Sequence, residues 1–141
     1  MSKELIAKAA EVIKSETAEW RDGTCTLALI DEAGYPTAST MSVIKSKGIG
    51  ELKFSTGLDS NKARRIQKCN RASVCLNSSN YNITLVGTIE ILTDPKTKKE
   101  MWNAYCEEYW TGPDDPDFCV LRFTTERYNL WLGTEGAEGI L

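Results

Sequence analysis

From Thr24 to Leu132 the chain repeats one device: a short run of strand-forming residues, then a turn of glycine, proline or asparagine. Where the connections are short turns they join antiparallel neighbours, and the series of runs as a whole reads as an antiparallel sheet. The runs are Thr24–Asp31, Tyr35–Ile44, Glu51–Thr56, Ala72–Asn77, Ile83–Leu92, Phe118–Thr124 and Tyr128–Leu132. Glu32-Ala33-Gly34 makes the first hairpin turn, and Gly48 with Gly50 the second. In Glu51–Thr56, Leu52, Phe54 and Thr56 share one face, as period-two alternation requires. Gly87 interrupts the longest run and predicts a bulge or a close backbone approach.

Helical spacing occurs at three places. Leu5, Ile6, Ala9, Val12 and Ile13 mark one face of a helix over Ser2–Ser15. Ser60 predicts an N-cap for a helix over Asn61–Cys69, with Ala63 and Ile66 inward. Asp94-Pro95 predicts a cap followed by proline at the first helical position, with the helix running through Trp102 towards Tyr109. Gly112–Pro116 reads as a rigid loop, and the glycine-rich tail after Gly133 as a fraying end. Six or more strands with a few helices predict a sheet that closes into a small barrel or packs on itself to hide its edges.

The chain of 141 residues fits a single domain over 1–141. A net charge of −3 favours neither nucleic acid nor an anionic membrane. No apolar run approaches the roughly 20 residues that span a bilayer. Met1–Lys14 intersperses lysine and glutamate, unlike a signal peptide, so a cytoplasmic location is expected. The five cysteines are scattered without a C-x-x-C pair and read as reduced thiols. The chain has no histidine, which removes Ser-His-Asp and Cys-His catalysis and histidine-ligated metal sites within one chain. Chemistry here would rest on a cofactor.

Three places could serve one. At Phe54–Arg65 a strand runs into a helix start, where free N–H groups and partial positive charge meet Ser55, Thr56, Ser60, Lys62 and Arg65. This suits a phosphate monoester, though a capped helix with a basic solvent face looks the same. An anion at a helix end gains only about 0.3–2 kcal/mol, whereas micromolar binding needs about 8 kcal/mol. A phosphorylated ligand must therefore also bury a flat apolar body or collect further hydrogen bonds. Trp102, Tyr105, Tyr109, Trp110, Tyr128 and Trp131 could cover such a body, or simply pack the core or an interface. Ser39-Thr40-Met41-Ser42 could meet the edge of a heteroaromatic ring, or be an ordinary solvated edge strand.

These places coincide, in order, with motifs of one group. Gly34–Met41, Phe54–Thr56, Ser60–Ile66, Val86–Glu90, Tyr109–Asp117 and Tyr128–Gly133 together resemble the pyridoxamine-phosphate-oxidase-like FMN-binding split barrels, in particular their general-stress-protein branch. The Trp-x-Gly-Pro-Asp-Asp-Pro loop is the most specific part. The resemblance implies a mainly β fold with flanking helices (α+β), an antiparallel six-stranded split β-barrel. It implies a homodimer with FMN at the subunit interface, a small-molecule redox partner and flavin-dependent oxidoreductase activity, in the general stress response. Carried over by position, Ser39, Thr40, Met41 and Ser42 line the isoalloxazine; Ser55 and Thr56 meet the ribityl chain or phosphate; Asn61 and Lys62 hold the phosphate. Trp131, with Trp110, comes from the partner subunit. Asn61 stands where the oxidases have arginine, and Ser39 and Thr40 are neutral where they carry basic residues, implying weaker flavin affinity. The oxidases' C-terminal Arg-x-His-Asp-Arg segment is not in the sequence, so pyridoxamine phosphate oxidation is not expected. The competing reading is a flavin-binding or redox-sensing protein without turnover. A deazaflavin or haem ligand is a third, and the missing histidine disfavours haem.

Overall fold

The computed structural model describes residues 2–17 and 23–141, so of the stretches read above only Met1 falls outside it. The described elements are α1 (Ser2–Glu16), β1 (Thr24–Ile30), β2 (Pro36–Ser42), β3 (Lys45–Lys47), β4 (Glu51–Gly57), α2 (Asn61–Lys68), β5 (Arg71–Ser78), β6 (Tyr81–Leu92), α3 (Pro95–Met101), a 3-10 turn (Cys106–Glu108), β7 (Phe118–Leu132) and β8 (Glu135–Ile140). The strands form one eight-stranded sheet in the order β2-β1-β5-β6-β7-β4-β3, with β8 on the free length of β7. All pairings are antiparallel.

That order requires curvature. β2 and β3 lie at opposite ends of it, yet only Val43 and Ile44 separate them in the chain. Laid flat, seven adjacent strands put the end strands about 29 Å apart, whereas three peptide links reach about 11 Å at most. The sheet therefore curls until its two margins nearly meet, as an antiparallel split β-barrel with flanking helices. Ile44 N–H donating to the Lys53 carbonyl (2.9 Å) ties the link to β4.

Period-two alternation fills the barrel. Leu27 and Leu29 of β1, Leu52 and Phe54 of β4, Val74 and Leu76 of β5 and Ile83 and Leu85 of β6 are all buried in one cluster. α1 adds Leu5, Ala9 and Ile13 to it, at the predicted helical spacing. A second, smaller cluster of Met101, Cys106, Phe118 and Val120 lies under Ile44, Leu92, Trp102 and Trp110.

Four expectations change. The described residues form eight strands rather than six. The two predicted runs at 118–124 and 128–132 are one strand of 15 residues. Their polar joint is a bulge: the register slips between Val86 and Gly87, leaving Glu126 without a partner on β6. A Cβ at Gly87 would overlap the Thr124 carbonyl, which confirms the predicted close approach. The tail does not fray, because β7 offers an open edge and β8 pairs with it from Leu132↔Glu135 to Arg127↔Ile140. The third helix stops at Met101; Trp102 caps it with extended backbone (φ −67°, ψ 132°), and the chain resumes as the 3-10 turn.

Candidate functional site

The margins that curl together do not pair along their whole length. Among the described residues β2 bonds only to β1, and the end of β4 only to β7, so a gap remains between Thr40–Ser42 and Ser55–Gly57. That gap is a cleft of about 340 Å³, closed on its third side by Lys62 from α2 and on its fourth by Tyr105, Tyr109 and Trp110. Larger hollows of about 600 and 630 Å³ lie over the Gly87 bulge and between α1 and β3. Neither joins a helix start to an aromatic wall, and the volume of the cleft is that of a small-molecule site.

The helix start forms as read. Ser60 Oγ accepts from Ala63 N–H (3.1 Å), and Thr56 Oγ1 donates to Ser60 Oγ (3.4 Å). Capping holds the first turn of α2 in the cleft and presents Lys62, half-buried, to it. Among the described residues no carboxylate pairs with Lys62. Cations prefer the other helix end, so this ammonium sits against the helix dipole with an open face towards the cleft. Arg65, read beside Lys62, turns away: its Nε lies 3.9 Å from the Glu32 carboxylate, while Arg64 Nε donates to Glu32 at 2.8 Å.

The aromatic wall rests on the second cluster. Trp110 packs on Phe118 (ring centroids 5.0 Å apart), which meets Trp102 edge-on (5.2 Å). Tyr109 bridges Trp110 (5.7 Å) and Tyr105 (5.1 Å). Burial, then the hydrogen bond with Tyr109, raises the Tyr105 phenol above its ordinary value, so it stays protonated at neutral pH. Behind the floor, the buried Cys106 thiol donates to Ser55 Oγ (3.8 Å).

Of the residues singled out in the sequence, Thr40, Met41, Ser42, Ser55, Thr56, Lys62 and Trp110 line this cleft. Trp110 does so in its own chain. Ser39 pairs with the buried Leu27 and is not among the lining residues, although Met41 on the same strand face is. Asn61 is exposed at the first position of α2. Trp131 is 43% exposed between Asn82 and Gly136 on the outer face of the sheet, outside the cleft. The sequence marks Tyr105 and Tyr109 only as general aromatics; the 3-10 turn that delivers them carries no spacing signal.

The model of the pyridoxamine 5'-phosphate oxidase-like family matches residues 9–139. The chain belongs to that family. A member from Clostridium acetobutylicum, related to general stress protein 26 of B. subtilis, is 27% identical over 100% of this chain and 97% of its own, with a TM-score of 0.84. Two more distant structures share the fold. A pyridoxamine 5'-phosphate oxidase-related, FMN-binding protein of Nostoc punctiforme is 14% identical, covering 95% of each chain at a TM-score of 0.70. A haem-binding protein of Mycobacterium smegmatis is 19% identical over 96% of this chain and 57% of its own, at 0.73. No curated protein matches the chain. No helix among the described residues is long and apolar enough to cross a membrane.

Proposed function

We propose that this oxidase-like protein holds FMN in the cleft between β2 and β4 and acts as a flavin-dependent oxidoreductase on a small molecule. The observation that carries the reading is Lys62: a half-buried ammonium with no carboxylate partner among the described residues, at a capped helix start inside a cleft with an aromatic wall. The residues fit the cofactor's parts. Lys62 with the Ser55 and Thr56 hydroxyls suits the phosphate and ribityl chain. Met41, Ile44, Tyr109 and Trp110 offer the apolar area that a phosphate contact alone lacks. The unpaired edge of β2 leaves main-chain groups of Thr40–Ser42 free for polar ring atoms.

FMN, when bound, supplies one- and two-electron transfer; the protein binds it, orients it and keeps water from its ring. Trp131 takes part only from a second copy, so the reading includes a homodimer with two such clefts. FMN binding by the Nostoc protein is consistent with this assignment at the level of the fold.

The test is the absorbance spectrum of purified protein, with mass spectrometry of whatever it releases on denaturation. Flavin bands and released FMN are expected; colourless protein that cannot be reconstituted with FMN rejects the reading. One observation favours the alternative of binding or redox sensing without turnover: the titratable groups lining the cleft are Lys62 and two tyrosines. Bound flavin that is neither reduced by NADH or NADPH nor reoxidised by an added acceptor would select that alternative.

A further inference from the structure

We propose that Asp117 is the positioning residue of the cleft, one carboxylate that sets both the aromatic wall and the strand-to-helix loop facing it. Its Oδ2 accepts from the Trp110 indole Nε1 at 3.2 Å, and its Oδ1 accepts from the Asp59 N–H at 3.1 Å. Its carbonyl accepts from the Leu58 N–H at 2.7 Å. Trp110 and Gly57 both line the cleft, and α2 with Lys62 follows directly from Leu58–Ser60. The separation of the two walls therefore depends on where this carboxylate sits.

The carboxylate has a built seat. Asp115 Oδ1 accepts from the Asp117 N–H (2.9 Å), while Asp115 Oδ2 accepts from the N–H (3.0 Å) and hydroxyl (3.1 Å) of Thr111. The Asp115 carbonyl takes a hydrogen bond from Lys98 Nζ (2.9 Å), a lysine only 7% exposed that also lies 5.8 Å over the Phe118 ring. Gly57 makes the room: a Cβ there would come within 2.6 Å of Asp117 Oδ2 and 3.0 Å of Asp59 Oδ1. Thus the Gly-Pro-Asp-Asp-Pro loop, the most specific motif in the sequence, acts as a bracket rather than as a contact surface.

The consequence for FMN rests on the reading above; the consequence for Trp110 does not. The experiment uses Asp117→Ala, Asp117→Asn and Gly57→Ala in the full chain, each also in a Trp110→Phe background. Without ligand, tryptophan emission and acrylamide quenching report the indole directly. Asp117→Ala should shift the emission to the red and increase quenching, and the change should vanish in the Trp110→Phe background. Asp117→Asn keeps one acceptor and should shift less; Gly57→Ala should reproduce the shift by crowding the carboxylate. In FMN titrations Asp117→Ala should weaken affinity about tenfold or more, the scale of losing hydrogen bonds to a charged group. Urea midpoints identify any variant that fails to fold, and Asp117→Asn then decides. Wild-type emission and wild-type affinity in both Asp117 variants would overturn the proposal, as would an emission change that survives Trp110→Phe. If the wild type itself binds no FMN, the flavin assignment fails and the emission arm alone decides the role of Asp117.

Discussion

Lys62 faces the cleft with no counter-charge among the described residues, so its removal should cost binding rather than folding. Lys62→Ala is expected to weaken FMN about ten- to hundredfold, since a hydrogen bond to a charged group contributes about 1.5–3 kcal/mol. The urea midpoint should stay at the wild-type value. Equal FMN affinity in the two proteins, read by flavin fluorescence, would dismiss the phosphate site. The thiols give a second residue-scale expectation. Burial, with the nearby Cys75 adding to it, pushes Cys25 up to about 12. Burial and then Asp117 push Cys119 up to about 12 as well. The reactive species is the thiolate, which neither cysteine populates appreciably at pH 8. Alkylation followed by mass spectrometry should leave both unlabelled in native protein and label both in urea. Ser60, Lys62, Ser55 and Thr56 were legible because capping is a local matter. Ser39 lies just short of the cleft lining on the same strand face as Met41, and position along a strand does not show in advance where a lining begins.

At the scale of elements, Gly87 decides how β6 and β7 meet. Alanine there would drive its methyl into the Thr124 carbonyl and to 3.1 Å from the Glu126 nitrogen. The ladder must part or the bulge must move, so Gly87→Ala is expected to destabilise by about 3 kcal/mol or more, in the tail reserved for backbone clashes. Urea unfolding measures it, and a loss under about 1 kcal/mol would show that the bulge can shift freely. This bulge also explains why the sequence hid the length of β7. Thr125, Glu126 and Arg127 break the alternation between Phe123 and Tyr128, and a break in period reads as a turn. β8 was invisible for a different reason. Glu135–Ile140 is poor in strand formers and becomes a strand because the neighbouring edge demands a partner. Leu27, Leu52, Val74 and Leu85 needed no such context, because the periodicity that buries them is in the chain itself.

At the scale of the whole molecule, the cleft and Trp131 lie apart within one chain, and a homodimer is what would join them. Lys62→Ala and Trp131→Ala should each weaken FMN binding in pure form. Co-expressed and isolated as a mixed dimer, they should recover one tight site per dimer, because one cleft then has both an intact lysine and an intact tryptophan opposite. FMN stoichiometry on the tagged, separated mixed species measures this; no recovery would remove Trp131 from the site. The curled sheet has a further consequence. The chain crosses from one margin to the other through Val43 and Ile44 alone, and above that crossing the hoop is left undone. A molecule lodged there touches both free margins and becomes the clasp that backbone pairing never supplies. Its departure should loosen β2 and β4 together, and amide exchange in those two strands would rise and fall in step with occupancy.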